Sequence, residues 1–224
     1  MTAGPIDLSH PIENGMTTYP GLPAPVITEH LTRAASEARY APGTTFSIGR
    51  IDLVANTGTY VDAPFHRFAA GTDLAALPLA RLAGAAGLLI EAARSGAGPA
   101  IGAEAFAGRP LAGRAVLIST GWDRHWRTPE YGSGRHPFLT DAAAAFLVDA
   151  NPALVGIDSL NIDDTADLSR PAHTRLLAAG IPIVEHLTNL GAVAGREFRF
   201  FAVPPPVKGM GSFPVRAFAI LETE

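Results

Sequence analysis

The sequence predicts a mixed α and β fold, and three observations point there. Short apolar runs recur between turns rich in glycine and proline, a few helical segments interrupt them, and neither a repeat period nor a block of like charge runs along the chain. The 224 residues suffice for one sizeable core, and no linker-like stretch divides them, so residues 1–224 are expected to form a single domain.

Taken in order, residues 46–54 read as a strand whose extended backbone is expected to continue toward residue 62. Residues 73–82 suggest a short helix with a turn, and Leu88, Leu89 and Ile90 a buried strand. The apolar run 115–120 ends in an aromatic and charged loop, 121–126, suited to gripping a planar or carboxylated substrate. Thr140 is placed as the N-cap of a helix over 141–148 that stops before Asn151 and Pro152. The run 153–157 leads as a buried strand into an acidic loop, 158–164, that suggests a site wall; its Asp163 and Asp164 are most simply solvated. His173 opens a helix over 174–179 closed by Gly180. Glu185 ends the apolar run 181–184, at a strand end of the kind that supplies catalytic carboxylates. Residues 198–203 and 214–221 read as closing strands, and the loop 204–212 between them either covers the pocket or is an ordinary surface connection.

The densest chemistry lies between Asn56 and His66. On a continuing strand, a period of two sets Asn56, Tyr60 and Asp62 on one face. Gly58 leaves that face open to a ligand or another backbone, while Pro64 ends regular pairing and turns His66 back toward the group. Singly, such an aspartate is a turn former and such a histidine a satisfied hydrogen-bond partner; the spacing is what argues for a site.

That spacing, Asn56-x-Gly58-Thr59-Tyr60-x-Asp62-x-Pro64-x-His66, resembles the His-x-Gly-Thr-His-x-Asp-x-Pro-x-His pattern of the cyclase-like metal-dependent hydrolases, which include bacterial kynurenine formamidase. Asn56 and Tyr60 depart from it, standing where that family has metal-ligand histidines. The likeness runs over nearly the whole chain, from residues 6–12 and the Tyr19-Pro20-Gly21 turn to His173 and Glu185. It implies the family's swivelling β/β/α fold, assembly as a homodimer or homotetramer, and hydrolysis of an amide, or of a cyclic amide or ester, in a small aromatic or carboxylated substrate. Carried over residue by residue, it implies one divalent ion, zinc or manganese, on Asp62, His173 and Glu185. His66 would move protons, Tyr60 with Asn56 would orient substrate or water, and Tyr19 would form part of the substrate wall. A neutral tyrosine is a poor metal ligand, its free pKa lying near ~10. Tyr60 is instead a candidate donor to a developing oxyanion, and two anionic ligands leave a bound water less acidic, which places more weight on His66 as a base. Two other readings stay open: a small-molecule binder without productive metal, and a metal-free lyase or cyclase working through His66 and Tyr60.

Composition excludes more than it assigns. The formal charge is −4, Lys208 is the single lysine and no run of arginines occurs, so an electrostatic footprint for nucleic acid is missing. No stretch reaches the ~18 uninterrupted apolar residues of a membrane span, and no basic segment followed by an apolar core opens the chain. A cytoplasmic protein with a small-molecule substrate is expected. The absence of cysteine removes disulfides, thiol nucleophiles and Cys-based zinc sites. Trp122 and Trp126 are as much core or interface anchors as substrate contacts, and His10 is a structural or pocket-wall residue. His30, His125, His136 and His186 lie at no metal-ligand spacing.

Overall fold

The chain alternates strands with short helices, as its apolar runs require. In the computed structural model, which describes residues 4–92 and 98–222, the strands of the first half are β1 (Ile6–Asp7), β2 (Val26–Leu31), β3 (Ile48–Asp52), β4 (Tyr60–Asp62), β5 (Ala83–Glu91), β6 (Ala100–Ile101) and β7 (Ala115–Ser119). The second half adds β8 (Phe138–Leu139), β9 (Leu154–Ile157), β10 (Ile183–Glu185), β11 (Phe198–Phe201), β12 (Ser212–Pro214) and β13 (Phe218–Leu221). Among the described residues four α-helices intervene: α1 (Arg33–Glu37), α2 (Leu79–Leu82), α3 (Asp141–Ala150) and α4 (Pro171–Ala178).

Nine strands join one mixed sheet in the order β1-β13-β11-β5-β7-β9-β10-β4-β12. Its middle strands, β5, β7, β9 and β10, run parallel to one another. β7 and β9 are apolar almost throughout and buried on both faces, the pattern of parallel strands covered on each side. One face packs the cluster around Leu117, Leu154, Val184 and Phe200; the other packs Val116, Val155, Ile157 and Ile183 against α3 and α4. Burying a side chain of this size contributes roughly 1.5–3 kcal/mol, and these two layers hold the sheet in place.

α3 starts where Thr140 accepts a hydrogen bond from the Ala143 amide through Oγ1 at 3.1 Å, and it ends at Asn151, whose φ of 49° places it in the left-handed region. α4 begins three residues before the expected Thr174, because Pro171 fills the first turn, where its missing N–H costs nothing. His173 therefore lies inside the first turn of α4 rather than ahead of it.

Three expectations are corrected. Residues 46–62 do not form one strand: β3 pairs with β2 in a separate two-stranded ribbon, and β4 belongs to the large sheet. Gly58 makes the break, with φ at 65° and a Cβ that would come within 3.2 Å of Ile12, so its bare face admits the 10–16 segment and not a ligand. Residues 214–221 divide into β12, paired with β4, and β13, paired with β11 and β1. The loop 204–211 does not roof the pocket. It lies under the 63–66 turn, with Ala63 donating to the Gly211 carbonyl at 2.7 Å and a Cβ on Gly211 falling 2.3 Å from the His66 amide nitrogen.

The β2–β3 ribbon pairs with no other strand, the Ile27 amide donating to Asn14 Oδ1 at 2.8 Å, and Val26, Ile27, Ile48 and Ile51 on it are each 43–53% exposed.

Candidate active site

β4 supplies the site because it is gripped on both sides. Antiparallel registry sets Tyr60 opposite Glu185 of β10, and Asp62 opposite Ser212 of β12. Opposed residues share a face, so the two residues of β4 project to one side together with Glu185 and Ser212. α4 lies across that side and brings His173 down from above. The imidazole Nε2 is 3.6 Å from Asp62 Oδ2 and 3.7 Å from Glu185 Oε1. Asp62, His173 and Glu185 thus come together from three elements, and His66 joins them, its Nδ1 3.7 Å from Asp62 Oδ1. Ligand atoms of Asp62, His66 and His173 all lie within 4.8 Å of one another.

Two further residues complete the arrangement: Asp163, read from the sequence only as a solvated member of a loop that suggests a site wall, and Ser212, which the sequence left unmarked. Asp163 is fully buried rather than solvated. It accepts from the Ala172 amide at 2.6 Å and the His173 amide at 3.1 Å, closing the helix start, and its Oδ2 lies 2.6 Å from His173 Nδ1. That bond fixes the ring and turns Nε2 toward Asp62. Ser212 hydrogen-bonds through its hydroxyl to Asp62 Oδ1, and the same oxygen lies 2.8 Å from His66 Nδ1. No spacing rule reaches residue 212 from residue 62; only strand pairing joins them.

The charges settle around His173. Burial opposes its protonation, but the charge of Glu185, the hydrogen bond to Asp163 and the contacts with Asp62 outweigh it and hold the pKa at about 10. Burial pushes Glu185 above the usual carboxylate range, against the pull of His173. Asp62 is held below that range: burial works against ionisation, but the His173 imidazole 3.6 Å away, the neighbouring His66 and the Ser212 hydroxyl prevail. Tyr60 is fully buried and, through desolvation and the Glu185 and Asp62 charges, keeps its proton far above the ordinary tyrosine range. It spends that proton on Glu185 Oε2 at 2.5 Å, while Ile162 N donates to Oε1 at 2.6 Å. The hydroxyl therefore orients Glu185 and is not free to meet an oxyanion, the alternative raised by its position in the motif.

The donor set fits one divalent ion. Asp62 Oδ2 is buried with no hydrogen-bond partner, an expensive state for a carboxylate oxygen, and it faces the free nitrogen of an imidazole whose other nitrogen is held by a carboxylate. Metal–ligand bonds of ~2.0–2.2 Å put tetrahedral ligand atoms roughly 3.3–3.6 Å apart, close to the 3.6 Å between His173 Nε2 and Asp62 Oδ2 and the 3.7 Å to Glu185 Oε1. The three-residue group whose ligand atoms all converge is Asp62, His66 and His173, and both Glu185 oxygens already accept hydrogen bonds. Asn56 and Tyr60 add no imidazole, the Tyr60 hydroxyl is engaged, and among the described residues Asp62, His66 and His173 form the one group of potential ligands.

The pocket above this centre has a volume near 280 Å³ and is lined by Tyr19, Leu22, Asn56, Tyr60, His66, Arg67, Asn161, Arg170, His173 and Glu185. The 121–126 loop does not reach it: Trp122 is buried with Tyr131 and Leu160, and Trp126 stacks on His10 at 4.0 Å. That cluster backs Tyr19, which does face the pocket.

A mixed sheet with a carboxylate–imidazole centre on its helical face is an arrangement suited to an α/β enzyme. The chain belongs to the cyclase family, whose model, described as a putative cyclase, matches residues 6–164. It is 28% identical over 217 residues to a kynurenine formamidase of Bacillus cytotoxicus, covering 95% of each chain. It is 27% identical over 219 residues to one of Polaromonas naphthalenivorans, covering 94% of this chain and 88% of that protein. Among solved structures, a potential metal-dependent hydrolase with cyclase activity superposes with a TM-score of 0.79 at 26% identity over 99% of both chains. Isatin hydrolase A of Labrenzia aggregata shares the fold, with a TM-score of 0.82 at 22% identity over 99% of this chain and 94% of that one.

Proposed function

We propose that this protein hydrolyses a small aryl amide of the formanilide kind, releasing an arylamine and a carboxylic acid, and that Asp62, His173 and Glu185 hold one divalent ion, zinc or manganese. The observation that carries the reading is the unpartnered Asp62 Oδ2, 3.6 Å from a His173 nitrogen that Asp163 has already oriented. The likeness to kynurenine formamidases over 95% of the chain supports the amide substrate. A bound ion would polarise the amide carbonyl and acidify a water.

The remaining work falls to this chain's side chains. The Ser212 hydroxyl has one proton, and the ionised Asp62 takes it. His66 Nδ1 must then be the donor to Ser212 Oγ, which leaves Nε2 with its lone pair as the proton acceptor. His66 is 36% exposed at its side chain and lines the pocket, placed to take a proton from water and return it to the departing amide nitrogen. Tyr60 keeps Glu185 in position, Tyr19 and Leu22 offer apolar wall to an aromatic ring, and Asn56 and Asn161 offer amides to its polar edge. The exposed apolar ribbon supports assembly as a homodimer or homotetramer. A cytoplasmic setting agrees with a chain that has no cysteine and, among the described residues, no helix long and apolar enough to cross a membrane.

The test is metal content together with turnover. Protein reconstituted with zinc or manganese should hold about one ion per chain and hydrolyse formanilide. Asp62→Asn should lose most of the ion, and His66→Ala should keep the ion but lose about 10²–10⁴-fold in kcat. Absence of any ion after reconstitution, or turnover undiminished in both variants, overturns the reading.

A further inference from the structure

A second cleft, with a volume near 640 Å³, shares no lining residue with the active-site pocket. It opens where β11 stops pairing with β5 at Ala86 while β5 runs on beside β7, and in the sheet β7, β9 and β10 stand between β5 and β4. Gly87 and Phe198 both line it; a Cβ on Gly87 would fall 1.9 Å from the Phe198 ring, so bare backbone is what lets that ring lie against the strand. Four guanidinium groups flank β5 in this cleft. Arg109 and Arg114 come from the stretch leading into β7, and Arg196 and Arg199 from β11 and the turn before it. Arg199 is paired with Glu222 at 2.6 Å, and Arg114 donates through Nη1 to the Gly87 carbonyl at 3.4 Å. Among the described residues no carboxylate lies within ion-pair distance of Arg109, Arg114 or Arg196, whereas Arg127, Arg135, Arg175 and Arg216 are each paired with one. Four of the chain's 17 cationic residues thus meet in one cleft of a molecule whose formal charge is −4.

We propose that this cleft binds a phosphorylated sugar, free or within a nucleotide, with Arg109, Arg114 and Arg196 on its phosphate. A guanidinium suits that task because its planar fork meets phosphate oxygens with two parallel hydrogen bonds, and groups standing on both sides of β5 can close on one anion. The acids in the cleft narrow the class further. Glu197 and Glu222 line it beside the arginines, and they would repel a bare anion. A ligand that carries hydroxyls next to its phosphate turns the same carboxylates into hydrogen-bond acceptors, which is what a sugar ring offers. The size agrees, since small-molecule and cofactor pockets span ~300–1,000 Å³.

Isothermal titration of the full-length protein at about 50 mM salt tests the site, with fructose 1,6-bisphosphate, adenosine 5′-monophosphate, inorganic phosphate and fructose as probes. At least one of the two phosphorylated sugars should bind at one site per chain, and raising salt to about 500 mM should weaken it severalfold. Which of them binds tells a free sugar phosphate from a nucleotide. Arg109→Gln with Arg196→Gln, both at exposed positions, should weaken that binding about tenfold, while the charge-preserving Arg109→Lys with Arg196→Lys should retain part of it. Arg67→Gln with Arg170→Gln, on the lining of the active-site pocket, should leave it unchanged. Binding of neither phosphorylated sugar, or affinity undiminished in the Arg109 and Arg196 Gln variant, overturns the proposal. So does a loss confined to the Arg67 and Arg170 variant, which would move the anion to the other pocket. Inorganic phosphate bound as tightly as the sugar phosphates, or fructose bound as tightly as its bisphosphate, refutes the assigned ligand class.

Discussion

The residue on which most depends is Asp163, and nothing adjacent to it in the sequence announces the fact. Its carboxylate does three things at once: two oxygens accept the first free amides of α4, and one of them also meets the Nδ1 of His173. Asp163→Asn keeps the shape but has one acceptor oxygen, so either the helix start or the imidazole must lose its partner. Metal affinity should fall about 10–100-fold, the usual cost of losing a carboxylate behind a ligating histidine, and stability by about 1–3 kcal/mol. Isothermal titration with zinc and a melting curve on the chelated protein read the two effects separately; unchanged affinity would show that Asp163 serves the helix alone. Asp62 and His66 were legible as candidates from their spacing, Glu185 from its strand end, and His173 only through the resemblance to the cyclase-like hydrolases. Asp163 was hidden because two adjacent acids in a loop look solvated, and only the three-dimensional path of the loop shows that one of them is not. Tyr60 was legible as a departure but not as a positioning residue, since its role depends on a register with β10 that local sequence does not encode.

At the scale of elements, the site exists because β4 is only three residues long and is trapped between β10 and β12, so that its two inward side chains have fixed neighbours. The short β12 is tied down by the loop before it, and Gly211 is the point of closest approach. A methyl group there would meet the His66 backbone nitrogen and Cα at 2.3 and 2.4 Å, and rigid backbone cannot yield as a flexible side chain can. Gly211→Ala should therefore cost about 1–3 kcal/mol by overpacking. It should also move His66 away from Ser212, lowering kcat more than metal content. A variant that melts like the wild type and keeps full turnover would mean that the loop shifts freely and does not support the base. Elements set by local chemistry were the readable ones: Thr140 capping α3 and Asn151 closing it needed only a few neighbouring residues. The division of 214–221 into two strands was not readable, because β12 and β13 are separated by their partners, β4 on one side and β1 and β11 on the other. The break at Gly58 was likewise obscured by a run whose alternation suits one long strand but whose two halves join different sheets.

Across the whole molecule, buried titratable groups pull stability in opposite directions with pH, and the balance differs on the two sides of neutrality. Burial holds His10 down to about 4 and His186 to about 3, so both are neutral when folded and take up protons on unfolding below pH 6.5; their contribution is lost as the pH falls. Burial instead raises Asp158 to about 6 and raises Glu185 as well, so these two contribute stability at low pH that is lost as the pH rises above their unfolded values. The acid side is therefore a contest between opposed windows. Between pH 7 and about 10 His173 acts with the least opposition: its folded pKa, about 10, lies above its unfolded value of 6.5, so the folded chain holds a proton that the unfolded chain has released. Stability should then fall as the pH rises, by ~1.4 kcal/mol per unit for one proton, or roughly 3–5 °C in Tm for a chain of this size. An ion on His173 Nε2 requires the deprotonated ring and takes over the neutralisation of Asp62 and Glu185, so saturation with zinc or manganese should abolish this decline and make the metal-dependent gain in Tm larger at pH 9 than at pH 7. Melting curves in chelator and in excess ion at pH 7, 8 and 9 provide the measurement. A chelated protein whose Tm stays level across that range would show that His173 is not the charged centre of the site, and the exchange of a proton for a metal would then have no basis.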